Sequence, residues 1–512
     1  MGRQESIPLP PDYNITFDNR VGGTPIAPRD ETATYHVSEH ILWAPRKMRV
    51  ACIGAGASGI MMCYKKEKEF GDSIDLVVYE RYDRPGGVWY ANKYPGCRCD
   101  VPSQAYQFSF APKPTWSRYY SPAAEIQEYY ESFAREHGYL DKYIKLLHTV
   151  DKTVWDEDAA EWVLTVTETR LGEQGTTEVV RTFEDRVDFL VANIGVLNTW
   201  KWPDIPNRET FTGKMTHSAD YDTSIDLKDK TVIVIGSGAS AIQIVPAIKN
   251  EAKKVISFYR TPQWIGPGLS MEGYTDDQGR NFDYTEEQKQ FFAQNPEAYL
   301  EHRKAIERKI NTSFPHNIAD HPNQKAARQF VTNHMLRILN NDTRLVDRLV
   351  PDFPMGCRRL GPAEGFLESF HEPHVELADG AIASFTERGL RTTDGKEWEA
   401  DVIICATGFD VGFKPAFPVI GRNGVSLADE WAEDPAAYMA VAASGFPNFM
   451  IGSLGPNCPA GHGSFVTVLE AAQNYVCKTI RKMQTENIRS LEVKKQAVDE
   501  YNEHVHEWLK RS

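Results

Sequence analysis

Short apolar runs alternate with amphipathic segments along most of the chain, and this alternation predicts an α/β fold. One run, residues 50–53, enters a turn that contains Gly54, Gly56 and Gly59, and a helical pattern follows. A second run ends in Glu80, about twenty residues beyond the turn. A strand, a glycine turn, a helix and an acidic strand end, in that order, predict a βαβ unit that binds a dinucleotide.

Each part of this unit has a chemical role. The amides at the start of the helix point at the turn, where a pyrophosphate is the expected occupant. An ionised Glu80 only accepts hydrogen bonds, so it suits the two hydroxyls of an unphosphorylated adenosine ribose. The first unit therefore suits FAD or NAD.

The same signal occurs a second time. Residues 230–243 predict another strand, glycine turn and helix, with Ala241 in the place of the third glycine. The next predicted strand ends in Arg260 and Thr261, where the first unit ends in Glu80. A guanidinium binds a 2′-phosphate through paired hydrogen bonds, whereas a carboxylate repels it. The second unit is therefore predicted to bind NADP.

The two units predict two nucleotide-binding domains and some additional segments. The predicted boundaries are 1–45 for a surface extension with a helical turn at 31–42, 46–198 and 396–512 for the first domain, 199–395 for the NADP-binding domain, and 266–350 for a helical insertion within it. Other predicted elements are a helix at 122–137 capped by Ser121, a hairpin of 149–155 and 162–169, a strand at 187–195, and insertion helices at 285–294, 296–309 and 323–340. Near the C-terminus a helical pattern predicts core packing for Val498, Tyr501, Val505, Trp508 and Leu509.

Composition narrows the possible partners. The 512 residues have a formal net charge of -14, which argues against nucleic acid and against an anionic membrane surface. We find no apolar run of about eighteen residues and no secretion signal, so the expected location is the cytoplasm. The eight cysteines are dispersed and have no metal-ligand spacing, so we expect reduced thiols and no metal. No protein partner is predicted.

Three longer motifs follow the nucleotide signals. They are G-x-W-x-x-x-x-Y-P-G-x-x-x-D from Gly87 to Asp100, F-T-G-K-M-T-H-S-A-D-Y-D at 211–222, and D-V-I-I-C-A-T-G-F-D at 401–410. With them, the chain resembles the class B flavoprotein monooxygenases, and most closely the type I Baeyer-Villiger monooxygenases, over roughly residues 45–510. One position departs from the pattern, because Tyr221 stands where Baeyer-Villiger enzymes usually have Trp.

The resemblance implies an FAD-containing, NADPH- and O₂-dependent enzyme. In such enzymes NADPH reduces FAD, the reduced flavin takes up O₂ at C4a, and the peroxyflavin inserts one oxygen atom next to a ketone carbonyl to give an ester or lactone. A nucleophilic peroxide must be deprotonated, and a fixed cation beside it favours that form. At about 4 Å and an effective dielectric of about 20, one charge contributes on the order of 4 kcal/mol, or about three pK units.

The resemblance also implies the roles of particular residues. Arg359 would stabilise the peroxide, Asp100 would orient Arg359, and His217 in the linker between the domains would act as a hinge. Trp89 is expected either to flank the flavin or to fill the core. The predicted cofactor-binding residues are Gly54, Gly56, Ser58, Gly59, Glu80, Gly87, Val88, Trp89, Asp100, Tyr106, Val150, Gly236, Ser237, Gly238, Ser240, Gln243, Arg260, Thr261 and Arg358.

Two other functions stay open at this point. Phe or Tyr at position 221 is typical of flavin monooxygenases that oxygenate nitrogen or sulfur through a protonated hydroperoxide, whereas Asp100 with Arg359 favours the ketone reaction. A nucleotide-binding protein that uses both sites for redox-regulated interaction is the third possibility. Substrate-dependent consumption of NADPH would exclude it.

Overall fold

The computed structural model describes residues 41, 43–173, 176–271, 274–275, 279–356, 358–458 and 463–512. The fold is that of the compact unit Leu42–Ser512. The predicted helical turn at 31–42 lies outside the described residues, except for Ile41, which is not helical.

Two five-stranded parallel sheets form the centre of the fold. In the first the strand order is Phe449–Ile451, Phe189–Ala192, Met48–Ile53, Ile74–Tyr79 and Ile144–Lys145. In the second it is Val375–Leu377, Lys254–Phe258, Thr231–Ile235, Val402–Cys405 and Lys214–His217. Most residues of the central strands are buried, which is why these strands appear in the sequence as continuous apolar runs. The predicted α/β class with two dinucleotide folds is confirmed.

Two smaller sheets pack beside the parallel ones. The predicted hairpin is present as His148–Asp156 and Glu161–Leu171, paired antiparallel. Its sheet also contains Thr177–Val187 and Val419–Ile420. The other sheet consists of Ile382–Thr386, Gly389–Thr392 and Glu397–Glu399.

Helices cover the sheets and link them. In the parts of the chain that precede and follow the second sheet, the α-helices are Ala57–Lys65, Val88–Ala91, Ala123–Glu136, Tyr139–Lys142, Leu427–Glu430, Phe465–Thr485 and Lys495–Leu509. Between the second glycine turn and the end of the second sheet they are Ala239–Ile248, Glu286–Gln294, Pro296–Thr312, Pro322–Ile338, Thr343–Leu349 and Phe366–Ser369. The Asp401 to Asp410 motif carries the chain back, and the next strands join the first sheet and the hairpin sheet.

The helices of the predicted insertion pack against two different cores. Phe292, Tyr299 and Ile306 belong to the cluster that contains the first parallel sheet. Val331 and Met335 belong to the cluster of the second sheet. The insertion therefore bridges the two nucleotide-binding folds, and the domain boundaries themselves stay a prediction.

Two local predictions are wrong. Ser121 does not cap the helix Ala123–Glu136, because Pro122 occupies the cap position. The Ser121 hydroxyl instead donates to the Arg118 carbonyl and accepts from the hydroxyl of Ser103. Core packing also fails for part of the C-terminal helix.

That helix buries Val498, but Trp508 is 37% exposed and Leu509 is 48% exposed. Its buried stripe ends before the last turn, where Trp508 lies 5.9 Å from the ring of Phe314.

Two absences concern the described part of the chain alone. There, we find no helix whose length and apolar character would let it span a bilayer. The same residues contain no group of three or more His, Cys, Asp or Glu side chains placed to bind a metal ion.

Candidate active site

The first glycine turn has the geometry that a bound pyrophosphate requires. Gly54 has φ +103°, and a Cβ on it would lie 2.7 Å from the carbonyl oxygen of Asn193. A Cβ on Gly59 would lie 2.1 Å from the carbonyl oxygen of Gly54, so only glycine lets the helix approach the strand so closely. The helix Ala57–Lys65 starts at Gly56 with no acidic residue in its first turn and no side-chain cap among the described residues. Its first amides therefore suit an anion.

Glu80 is tied to this turn. Its side-chain oxygens accept hydrogen bonds from the amides of Ala55, at 2.7 Å, and Tyr82, at 3.0 Å. The residue is 4% exposed, and burial raises the pKa of the carboxyl above its ordinary value. Each carboxylate oxygen keeps a further acceptor site, so the predicted bonds from ribose hydroxyls remain chemically available.

The second glycine turn lies against the segment that returns the chain to the first sheet. Gly236 has φ +135°, and a Cβ on it would lie 2.2 Å from the carbonyl oxygen of Ala406 in the Ala-Thr-Gly motif. Ser237 donates from its hydroxyl to the Thr261 carbonyl at 2.7 Å. Gly238 begins the helix Ala239–Ile248, and a Cβ there would meet nothing within 4 Å. This turn also fits a pyrophosphate.

The predicted 2′-phosphate residues are accessible. Arg260 follows the strand Lys254–Phe258 and is exposed, and Arg358 is exposed as well, with its guanidinium 5.8 Å from the ring of Phe353. Of the other predicted cofactor residues, Ser58 and Val150 are buried, Val88 starts a short helix, and Ser240 lies in the helix of the second turn.

Asp100 and Arg359 form a two-point ion pair, although 259 positions separate them. Nε of Arg359 donates to Oδ2 at 2.6 Å, and Nη2 donates to Oδ1 at 3.1 Å. The Arg359 side chain is 45% exposed and that of Asp100 is 30% exposed. Burial lowers the pKa of Arg359 and the Asp100 carboxylate raises it, with a net increase above its ordinary value. Arg359 is therefore a permanent cation with N–H groups still free to donate.

Tyr106 lies near this pair and contacts a second aromatic side chain. Nε1 of Trp89 donates to the hydroxyl of Tyr106 at 3.1 Å, and the two rings meet edge to face. Burial raises the pKa of Tyr106, and the charges of Asp100 and Arg359 act on it in opposite directions. Gly87, two residues before Trp89, packs closely against the first glycine turn, because a Cβ on it would lie 3.1 Å from Cα of Gly56.

His217 lies where the chain crosses between the two sheets. Its Nδ1 accepts from the Ala219 amide at 3.1 Å, so in the neutral ring Nε2 carries the proton and donates to the Thr407 hydroxyl at 3.0 Å. Trp200 stacks on the ring at 4.4 Å. Trp200 lies in the segment that leads from the first sheet to the second, and Thr407 lies in the segment that leads back. One imidazole therefore contacts both connections between the sheets. Its hinge role stays a prediction.

Burial of His217 predicts a specific loss of stability in acid. Burial lowers its pKa from 6.5 to about 4, and the Asp220 charge opposes this only in part. Between those values the unfolded chain binds a proton that the folded chain does not, so stability falls as the pH falls. From pH 7 to pH 5 we expect the group to remove about 2 kcal/mol from the free energy of unfolding. Urea unfolding at both pH values should show a loss in the parent protein that is about 2 kcal/mol larger than the loss in His217→Asn.

His302 contributes a similar pH dependence of stability to the parent protein and to the variant. It is also buried, and burial lowers its pKa to about 4. Its contribution is common to both proteins and cancels in the difference. If the free energy of unfolding of the parent and of the variant changed equally with pH, the lowered pKa of His217 would be contradicted.

Two contacts of Arg359 were missed from the sequence. Nε2 of Gln263 donates to the Arg359 carbonyl, and the guanidinium lies 5.5 Å from the ring of Phe465. Both partners are distant in the chain and outside any glycine or aromatic motif. Only the three-dimensional arrangement identifies them.

Comparison with known proteins identifies the family. Residues 47–343 match the family described as flavin-binding monooxygenase-like. The FAD-binding monooxygenase tazF of Aspergillus terreus is 38% identical over 92% of this chain and 82% of its own length. A Baeyer-Villiger monooxygenase of Streptomyces coelicolor is 32% identical over 93% of this chain and 85% of its own.

Solved structures agree with the sequence relatives. Cyclohexanone monooxygenase from Rhodococcus sp. Phi1 bound to NADP⁺ has a TM-score of 0.75, 26% identity and coverage of 90% of this chain and 89% of that one. Oxidised steroid monooxygenase bound to NADP has a TM-score of 0.76, 26% identity and coverage of 91% of both chains. The chain therefore belongs to the flavin-binding monooxygenase-like family and, within it, to the type I Baeyer-Villiger monooxygenases.

Proposed function

We propose that this FAD- and NADPH-dependent monooxygenase converts a ketone to an ester or lactone at a site formed around Asp100 and Arg359. The observation that carries the proposal is the two-point ion pair between them. The FAD that the first turn fits would supply reduced flavin for the activation of O₂, and the NADPH that the second turn fits would supply the hydride.

Arg359 provides the charge that the ketone reaction needs. The attacking oxygen must be an anion, and its negative charge passes to the carbonyl oxygen as the new bond forms. A guanidinium that stays protonated stabilises both positions without transferring a proton. At about 4 Å and an effective dielectric near 20, this stabilisation is about 4 kcal/mol.

Asp100 keeps that charge in place. A carboxylate that accepts from both Nε and Nη2 fixes the plane of the Arg359 guanidinium, and the remaining N–H groups then point in a defined direction. We therefore assign Asp100 to positioning rather than to proton transfer. Arg358 and Arg260 are assigned to the 2′-phosphate of NADPH.

Oxygenation of nitrogen or sulfur is the second candidate, and Tyr221 is the observation that favours it. Tyr221 is 9% exposed and belongs to the core cluster of the second sheet, together with Leu227. Burial raises the pKa of its hydroxyl to about 12. Its surroundings are those of a packing residue, so the change from Trp bears less on the chemistry than Arg359 does.

A substrate panel separates the two functions. Cyclohexanone is bound in one structural neighbour, so the panel pairs cyclic and aryl ketones with sulfides and tertiary amines. We expect ester or lactone formation with NADPH consumption close to stoichiometric. Oxygenation of the sulfides and amines alone would contradict the proposal. The location in the cytoplasm stays a prediction.

Arg260 predicts the preference for NADPH. A guanidinium bound to the 2′-phosphate contributes about 1.5 to 3 kcal/mol, so Arg260→Ala should raise KM for NADPH by roughly 10- to 100-fold. Activity with NADH should hardly change, because NADH lacks that phosphate. Steady-state kinetics with both nucleotides checks this.

The control for that experiment is Arg391→Ala. Arg391 forms an exposed ion pair with Glu397 in the small antiparallel sheet. An equal loss of NADPH and NADH activity in Arg260→Ala would contradict the role of Arg260.

A further inference from the structure

Gln243 makes contacts that its predicted cofactor role does not explain. Its side-chain oxygen accepts from the hydroxyl of Tyr94 at 3.1 Å and from the amide of Arg98 at 3.4 Å. Its Nε2 donates to the carbonyl of Arg98 at 3.1 Å. Both polar atoms of the amide are thus used by the loop between Tyr94 and Arg98, and Gln243 is only 9% exposed.

The loop also touches the backbone of the helix that carries Gln243. Gly96 has φ +78°, and a Cβ on it would lie 2.6 Å from the Gln243 carbonyl oxygen and 2.9 Å from Cβ of Ala247. On the other side, the Ala123 amide donates to the Cys97 carbonyl at 2.9 Å. The loop is therefore held between the helices Ala239–Ile248 and Ala123–Glu136.

Asp100 follows this loop by two residues. The second nucleotide helix thus holds the loop from which Asp100 reaches Arg359. We propose that Gln243 is a positioning residue that fixes the Asp100 loop against the NADP-side helix and thereby sets the direction of the Arg359 guanidinium. This inference deepens the proposed function and rests on it for its catalytic consequence, but the clamp itself is a structural claim.

Gln243→Met removes all three hydrogen bonds while keeping the length of the side chain. We expect amide hydrogen exchange in residues 94–100 to accelerate, because the loop loses its anchor. Ester formed per NADPH consumed should fall about tenfold, since small misplacements of a catalytic group are costly. The Kd for NADP⁺ should stay within about twofold of the parent value, since the lost bonds are to protein.

Gln484→Met is the matched control. Gln484 is also a buried glutamine on a helix, and its Nε2 donates to the carbonyls of Arg46 and Ser73, away from the Asp100 loop. It should destabilise the protein by a comparable amount without changing exchange at 94–100 or the ester yield. The comparison separates positioning from a general loss of stability.

Gln243→Glu adds a test that a merely structural role would not pass. A protonated carboxyl presents one acceptor and one donor, as the amide does, whereas the ionised form cannot donate to the Arg98 carbonyl. Burial raises the pKa of such a carboxyl. The ester yield of this variant should therefore rise as the pH falls from about 8 to about 6, relative to the parent at each pH.

Gly96→Ala disrupts the contact between the loop and the helix Ala239–Ile248 from the loop side. Its methyl group would force the loop away from the helix, so it should accelerate the same amide exchange and lower the same yield. A rise in Kd for NADP⁺ of tenfold or more in Gln243→Met, with unchanged exchange at 94–100, would overturn the inference and return Gln243 to nucleotide binding. Faster exchange in a protein whose parent forms no ester from any ketone would leave the clamp standing and reject the proposed function instead.

Discussion

Arg359→Ala should lose ester formation by about a thousandfold while still oxidising NADPH. The expected loss follows from removing about 4 kcal/mol of charge stabilisation, at about 1.4 kcal/mol for each factor of ten. Reduction of the flavin does not require this charge, so electrons should still reach O₂ and leave as hydrogen peroxide. Product analysis by gas chromatography, with NADPH and peroxide measured in the same samples, checks both parts.

Arg359→Lys and a distant arginine complete the experiment. Lysine keeps the charge but cannot bind the Asp100 carboxylate at two points, so we expect an intermediate loss of roughly 10- to 100-fold. Arg388→Ala removes an exposed ion pair with Glu399 and should leave the ester yield unchanged. Ester formation in Arg359→Ala at more than a tenth of the parent rate would assign the peroxide charge to another group.

The nucleotide folds were readable from the sequence because their signals are local. Gly59 meets the carbonyl oxygen of Gly54 within a single βαβ unit, so a short spacing encodes the turn. The strand Thr231–Ile235 and its helix repeat the unit with the same spacing. Burial on both faces then makes each strand a continuous apolar run.

Contacts across the two folds were not readable in the same way. Asp100 and Arg359 are 259 positions apart in the chain, and only the family resemblance suggested that they pair. Gln243 satisfied a motif position, yet its side chain contacts the loop of Tyr94 and Arg98. Spacing along the chain does not reveal which partner a buried amide will find.

The prediction for Trp508 failed for a related reason. Helical periodicity identifies one face of a helix but not where along that face the protein core ends. The helix Lys495–Leu509 buries Val498 near its start, whereas its last turn extends to Leu509 at 48% exposure. The extent of a core depends on what packs opposite, which a single segment does not encode.

Gly59→Ala should yield a protein that lacks FAD or fails to fold. A Cβ at this position would lie 2.1 Å from the carbonyl oxygen of Gly54, a distance that backbone atoms do not tolerate. The helix Ala57–Lys65 would have to move away from the strand, at a cost of about 1 to 3 kcal/mol, and its amides would leave the pyrophosphate position. The flavin absorbance of the purified protein, relative to its protein absorbance, measures the outcome together with the melting temperature.

Gly238→Ala is the matched control at the second turn. A Cβ on Gly238 meets nothing within 4 Å, so this variant should fold and retain FAD. The variant should instead bind NADPH less well and show a higher KM for it, because the added methyl group lies at the turn where the NADPH pyrophosphate is expected. Full flavin content in Gly59→Ala would show that the first turn tolerates a side chain and that FAD is held elsewhere. Flavin loss in Gly59→Ala alone, with NADPH weakened in Gly238→Ala alone, would assign the two cofactors to the two turns separately.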